Sequence, residues 1–145
     1  MKTGFTRIQL QIIAASFGIV LVMAIAVVAV QKYQTTQLRT KFAAVVKATE
    51  DFKMAIELCA KFGPCAKSGA LSGLEDGTLG IPYSRSGTYL ASVRVASNGT
   101  ITATATKAEG LGGETYVLTP SYVKGAPLTW AVSGTCKTRA AGAIC

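Results

Sequence analysis

From Ile12 to Val30 the chain carries no charged residue, and only Ser16 and Gly18 fall outside the strongly apolar residues and alanine. A helix built from that run can cross a bilayer, because it satisfies its own backbone groups and has membrane length. Beyond Gln31 and Lys32 the pattern changes without a break. Leu38, Phe42, Val45, Thr49, Phe52, Ile56 and Cys59 recur at alternating steps of four and three, which marks one face of an amphipathic helix. No Pro or Gly stands between Gly18 and Gly63, so the spacing predicts one continuous helix from Phe5 to Cys59, roughly 80 Å long. Its first half is apolar all round and its second on one side only. The first half must therefore stay in lipid or exchange lipid for an equally apolar protein environment.

After Cys59 the character changes. Lys61-Phe62-Gly63-Pro64-Cys65 stops the helix, and Gly69 to Gly87 is rich in Gly and Ser with Ile81-Pro82 inside it, a long loop. Strand patterns follow. Tyr89, Ala91, Val93 and Val95 alternate with Leu90, Ser92, Arg94 and Ala96, the Asn98-Gly99 pair predicts a two-residue turn, and Thr100 to Thr106 alternates Ile101, Ala103 and Ala105 with threonines. Gly110 to Gly113 is a second turn, Glu114 to Thr119 a third strand, Lys124-Gly125 a further turn, and Leu128 to Val132 a fourth strand carrying Trp130. The predicted fold is α+β, a long N-terminal helix packed through its stripe on a four-stranded antiparallel sheet whose other face is polar and Thr-rich.

Composition narrows the function. With some 50 of the 145 residues in the helix, what remains is one domain of about 85 residues, able to fold by packing on the helical stripe. Lys and Arg outnumber Asp and Glu by 15 to 7, giving +8, but the excess is scattered and reads first as a solvated surface. There is no His, which removes the usual general base and the commonest zinc ligand. Glu50, Asp51 and Glu57 lie on the polar side of the helix among lysines, and no nucleophile completes a site with Glu75, Asp76, Glu109 or Glu114. We expect no catalytic, cofactor or metal residues and no enzyme. Gly110-Leu111-Gly112-Gly113 lacks the Gly-Lys-Ser/Thr and helix of a phosphate loop and reads as a turn. Asn98-Gly99-Thr100 fits a glycosylation sequon, though turn chemistry explains it better.

The four cysteines fall in two close pairs, Cys59 with Cys65 and Cys136 with Cys145. Of the three possible connectivities, local pairing is the cheapest to close, and it fits an exported domain. Spacings of five and eight intervening residues suit a metal poorly. Lys2 and Arg7 ahead of the apolar run favour a cytoplasmic N-terminus with the rest exported.

Gly4 followed by Phe5-Thr6-Arg7-Ile8-Gln9-Leu10 and a membrane-length helix resembles the prepilin signature of type IV pilins. Gly80-Ile81-Pro82, Tyr89 to Val93, Gly112 to Thr119, and Leu128-Thr129-Trp130 leading to Cys136 and Cys145 resemble the globular half of type IVa pilins. The resemblance implies the type IV pilin fold, cleavage between Gly4 and Phe5 by a prepilin peptidase, and N-methylation of Phe5. It also implies storage in the inner membrane, then assembly by pilus machinery into a helical homo-oligomeric extracellular filament serving adhesion, twitching motility or DNA uptake. Gln9 stands where most family members have Glu, the carboxylate thought to meet a neighbour's N-terminal amine, so Phe5 and Gln9 are the expected assembly residues. Ala26 stands where the family commonly has Pro. On this reading residues 1–4 are the leader, 5–30 the membrane and fibre-core helix, 31–59 its amphipathic half, 60–88 the αβ-loop, and 89–145 the sheet with a C-terminal disulfide loop. In the family that loop is exposed, and Lys137 and Arg139 make it positive here, which marks them as candidate surface contacts.

Two other readings remain open. The chain can be a minor pilin or a pseudopilin of a type II secretion filament, which Gln9 favours. Or it can be a membrane-anchored periplasmic module that binds DNA or anionic surfaces.

Overall fold

A computed structural model describes the backbone of residues 7–67 and 69–145, and the side chains of 20–66 and 69–145. Helix α1 runs Arg7–Lys47 and helix α2 Glu50–Phe62. By its internal contacts the chain divides into two units, 1–36 and 37–145, and α1 contributes its residues from Gln37 onward to the second.

The predicted helical stripe is the one that is buried. Phe42, Val45, Thr49, Phe52 and Ile56 are fully enclosed, Cys59 nearly so, and Leu38 packs against their edge. The expectation of an unbroken helix is corrected at Ala48–Thr49. Thr49 turns its hydroxyl back to the Val46 carbonyl at 2.7 Å, and its N–H bonds the same carbonyl at 3.0 Å, one residue tighter than an α-helical bond. A threonine hydroxyl that competes for a helix carbonyl tightens and bends the turn, which needs neither Pro nor Gly. Lys53 then donates to the Thr49 carbonyl, and Glu50 and Asp51 in the first turn suit the positive end of α2. Because Thr49 stays on the buried face, the stripe crosses the break. α2 ends at Gly63, whose left-handed conformation lets its N–H return to the Cys59 carbonyl at 3.0 Å.

The loop after α2 holds more structure than its composition suggested. Strands β1 (Ala66–Lys67) and β2 (Ala70–Leu71) pair as a short hairpin, and the Cys59–Cys65 disulfide ties its start to α2. Leu71, Leu74 and Ile81 drop from it into the core.

Strands β3 (Leu90–Val95), β4 (Ile101–Ala105), β5 (Thr115–Ser121) and β6 (Thr129–Ser133) form one antiparallel sheet in the order β3-β4-β5-β6, as predicted. Val93, Val95, Ile101, Ala103, Ala105 and Leu118 are buried and belong to one core with the helical stripe. Two details depart from the simple alternation. A register shift between Leu90 and Ser92 leaves Ala91 exposed and buries Leu90 with Val93, so the core face changes parity at a bulge. The hairpin turn is centred on Ser97-Asn98, closed by the Gly99 N–H on the Ala96 carbonyl at 2.8 Å, while Gly99 follows with φ 83°. That is a three-residue connection ending in a left-handed glycine, whose twist suits the strands.

Candidate assembly surface

The two units present different features. In the first, every large apolar side chain from Val20 to Val30 leaves more than half of its surface open, as does Tyr33. Burying each such side chain is worth about 1.5–3 kcal/mol. An isolated chain therefore carries a large unsatisfied drive to cover this segment. The other part of the expected membrane run, residues 12–19, lies outside the described side chains. Among the described residues no helix is long and apolar enough to cross a membrane. Gly4 and Phe5 lie outside the described residues altogether, and Gln9 is described only as backbone within α1.

The second unit is held to its helices by polar ties that the sequence pattern gave no sign of. Arg39 donates twice to the Ala143 carbonyl, at 3.1 and 3.2 Å, and Lys41 reaches both the Glu109 carbonyl and its carboxylate. On α2, Asp51 pairs with Arg85 at 2.8 Å while the Arg85 guanidinium lies over Phe52, and Glu57 accepts the Trp130 indole N–H at 2.9 Å. Phe42 meets Tyr116 edge to face, at 6.5 Å between ring centres. Burial first, and the Glu50 carboxylate second, push the Tyr116 phenol above its ordinary pKa.

Both expected disulfides are present, Cys59 with Cys65 and Cys136 with Cys145. The second closes the C-terminal loop, and the loop's entry is fixed tightly. Thr115 and Thr135 exchange hydrogen bonds between hydroxyl and N–H in both directions, at 2.8 and 3.1 Å, and the Cys136 N–H bonds the Thr115 carbonyl. Gly134, with φ 117°, passes so close to Thr115 that a Cβ would run into its carbonyl. Only glycine fits there.

Each of the two cations expected on this loop has an acceptor within the chain. Arg139 forms an ion pair with Glu114 at 3.0 Å, the carboxylate side being 9% exposed, and its Nη2 also donates to the Gly110 carbonyl. The other Glu114 oxygen accepts the Gly112 N–H. Arg139 thus fastens the disulfide loop to the Gly110–Glu114 turn. Lys137 is exposed, but its ammonium is 2.7 Å from the Val132 carbonyl. Glu114 and Glu109, which the sequence left as acids without a partner, are the contacts that sequence reasoning missed. Their distance from Arg139 and Lys41 along the chain hid them.

A groove of about 750 Å³ opens between the end of α2 and the β5–β6 connection, lined among others by Ala60, Lys61, Tyr122, Lys124, Pro127 and Leu128. Glu57 at its wall accepts the Trp130 indole N–H, and its other polar side chains are those of Lys61, Tyr122 and Lys124. Among the described residues no group of His, Cys, Asp and Glu could hold a metal ion.

The second unit is thus an α+β head stapled by two local disulfides, and the helix segment before it is openly apolar. The family model for pilin, the bacterial filament protein, matches residues 38–145, nearly coincident with the second unit. The chain belongs to the pilin family, a structural and non-enzymatic one, and the type IV pilin resemblance of its sequence is upheld. No curated protein matches the chain.

Proposed function

We propose that this pilin is a structural subunit of a type IV pilus, assembling through its N-terminal helix into an extracellular fibre. The observation that carries the reading is the open apolar surface from Val20 to Val30 on a chain whose head is a pilin head. Two environments cover such a surface, lipid and the equivalent helices of other subunits, and a pilin uses both in turn. Before assembly the helix is held in the inner membrane, with residues 1–4 on the cytoplasmic side. Cleavage after Gly4 and methylation of Phe5 follow, and the apolar helix is then reburied against neighbouring subunits at little net cost. Many identical contacts hold the fibre together.

Gln9 sets the terms of this assembly. It can accept a hydrogen bond from a neighbour's ammonium but cannot neutralise it, while costing less than an ionised Glu to hold in lipid. That substitution favours a second reading, a minor pilin or pseudopilin present at few copies per filament. The proposed outputs of the whole fibre are adhesion, twitching motility or DNA uptake.

Intact-mass spectrometry of sheared surface filaments tests the proposal. A dominant species beginning at methylated Phe5, and lighter by four hydrogen atoms for two disulfides, supports the major subunit; the same species in trace amounts supports the minor one. A chain retained in the membrane fraction with Met1 to Gly4 attached refutes both.

A further inference from the structure

The sheet has two edges, and they are finished differently. Along β3, Asp76 Oδ1 accepts the outward N–H of Val95 at 2.8 Å, and the Leu74 N–H bonds the Ser97 carbonyl, so the αβ-loop closes that edge. At β6, among the described residues, the cover is one side chain. Lys137 reaches back from the disulfide loop to the Val132 carbonyl. In an antiparallel ladder the N–H and C=O of one residue point to the same side, and the side alternates along the strand. Val132 lies opposite Leu118, so a carbonyl taken by Lys137 faces away from β5, and its N–H faces away with it. Trp130, two residues earlier, stands opposite Pro120 at the same parity as Val132, so its N–H and C=O share that outward direction. Thr129, Ala131, Val132 and Ser133 are all exposed. This is an unpaired strand edge of the kind that another strand can extend.

The position of Lys137 is also set. It follows Cys136, which is fully buried, disulfide-bonded to Cys145, and bonded through its N–H to the Thr115 carbonyl and through its carbonyl to the Ile144 N–H. The C-terminal loop therefore delivers an ammonium to the β6 edge.

We propose that the β6 edge is a self-association surface for the β6 edge of a second copy, and that Lys137 keeps it closed. The same edge is the occupant because the β3 edge is already taken by Asp76 and the loop. Antiparallel β6–β6 pairing about a two-fold axis satisfies the outward groups of Trp130 and Val132 in both copies and joins two four-stranded sheets. With Lys137 in place, an acceptor is occupied on each copy and two like charges approach across the axis, which opposes pairing. This inference rests on the head alone and stands whether or not the chain forms fibres.

The test uses the full-length chain in detergent, by sedimentation velocity over a concentration series. Lys137→Met keeps the stem length and removes the donor; it is expected to tighten dimer formation at least tenfold, while Lys137→Arg sediments as the parent does. Adding Val132→Pro to Lys137→Met removes an outward N–H without touching the ladder to β5, and is expected to restore the parent's behaviour. Unchanged sedimentation of Lys137→Met overturns the proposal, and so does a dimer that survives Val132→Pro. Hydrogen exchange on the unmutated protein supplies a check that needs no variant. The Val132 amide is expected to exchange much faster than the Ala131 amide beside it, and equal protection of the two would overturn the edge assignment.

Discussion

Replacing Arg139 by Met removes the charge that faces Glu114 while keeping most of the stem. The Glu114 side chain is 9% exposed and Arg139 is 23% exposed, so the pair is largely withdrawn from water. Breaking a buried pair by removing one partner costs about 3–5 kcal/mol, because the remaining charge has lost its compensation. Two features place this case at the lower end. Glu114 keeps the Gly112 N–H, and Arg139 Nη1 is buried with no hydrogen-bond partner, so the native guanidinium is itself imperfectly satisfied. We expect a loss of about 3 kcal/mol, or roughly 13 °C in unfolding midpoint for a head of this size. Denaturant unfolding followed through Trp130, the chain's one tryptophan, measures it, since the indole N–H is held by Glu57 within the same unit. Glu114→Gln combined with Arg139→Met should recover about 1–2 kcal/mol relative to the sum of the single changes. The exposed Asp51–Arg85 pair is the control, and Asp51→Asn should cost less than about 1 kcal/mol. A loss below about 1 kcal/mol for Arg139→Met, or strict additivity in the double variant, would refute the idea that this pair anchors the C-terminal loop.

Three further outcomes follow from the same packing. Phe52→Ala opens a cavity at a fully enclosed core site and should cost about 3–5 kcal/mol by the same unfolding assay. Changing Cys136 and Cys145 to Ser removes a nine-residue closure and should lower stability by roughly 2–3 kcal/mol, with faster exchange of the Ile144 amide. Tyr116 stays protonated in the fold to higher pH than in the unfolded chain, so the fold holds the extra proton and its stability falls as pH rises above about 10. Tyr116→Phe should flatten that decline when stability is measured from pH 9 to 11.

The sequence determined those features whose cause is local or periodic. The alternating step of four and three selected the helical face, and Phe42 through Cys59 are buried as it required, because a single stripe on a helix has one place to go. The four strands and their order were legible for a similar reason, since period-two alternation and short turns leave neighbouring strands little choice but to pair. The two cysteine pairs were close enough along the chain for closure entropy to favour them. The Val20–Val30 segment declared its need for cover by composition alone.

Tertiary structure decided what depends on residues distant along the chain or on competition within a turn. The break at Thr49 arises because one hydroxyl takes the Val46 carbonyl, an option a hydropathy pattern does not encode. The bulge at Ala91 moved Leu90 into the core although strict alternation opposed it. Above all, the direction in which charges point was invisible in the sequence. Lys137 and Arg139 read as a positive loop offered to the outside, yet one closes a strand edge and the other meets Glu114. A long side chain with several rotatable bonds goes to whichever acceptor the fold brings within its reach, and only the folded chain brings Val132 and Glu114 there.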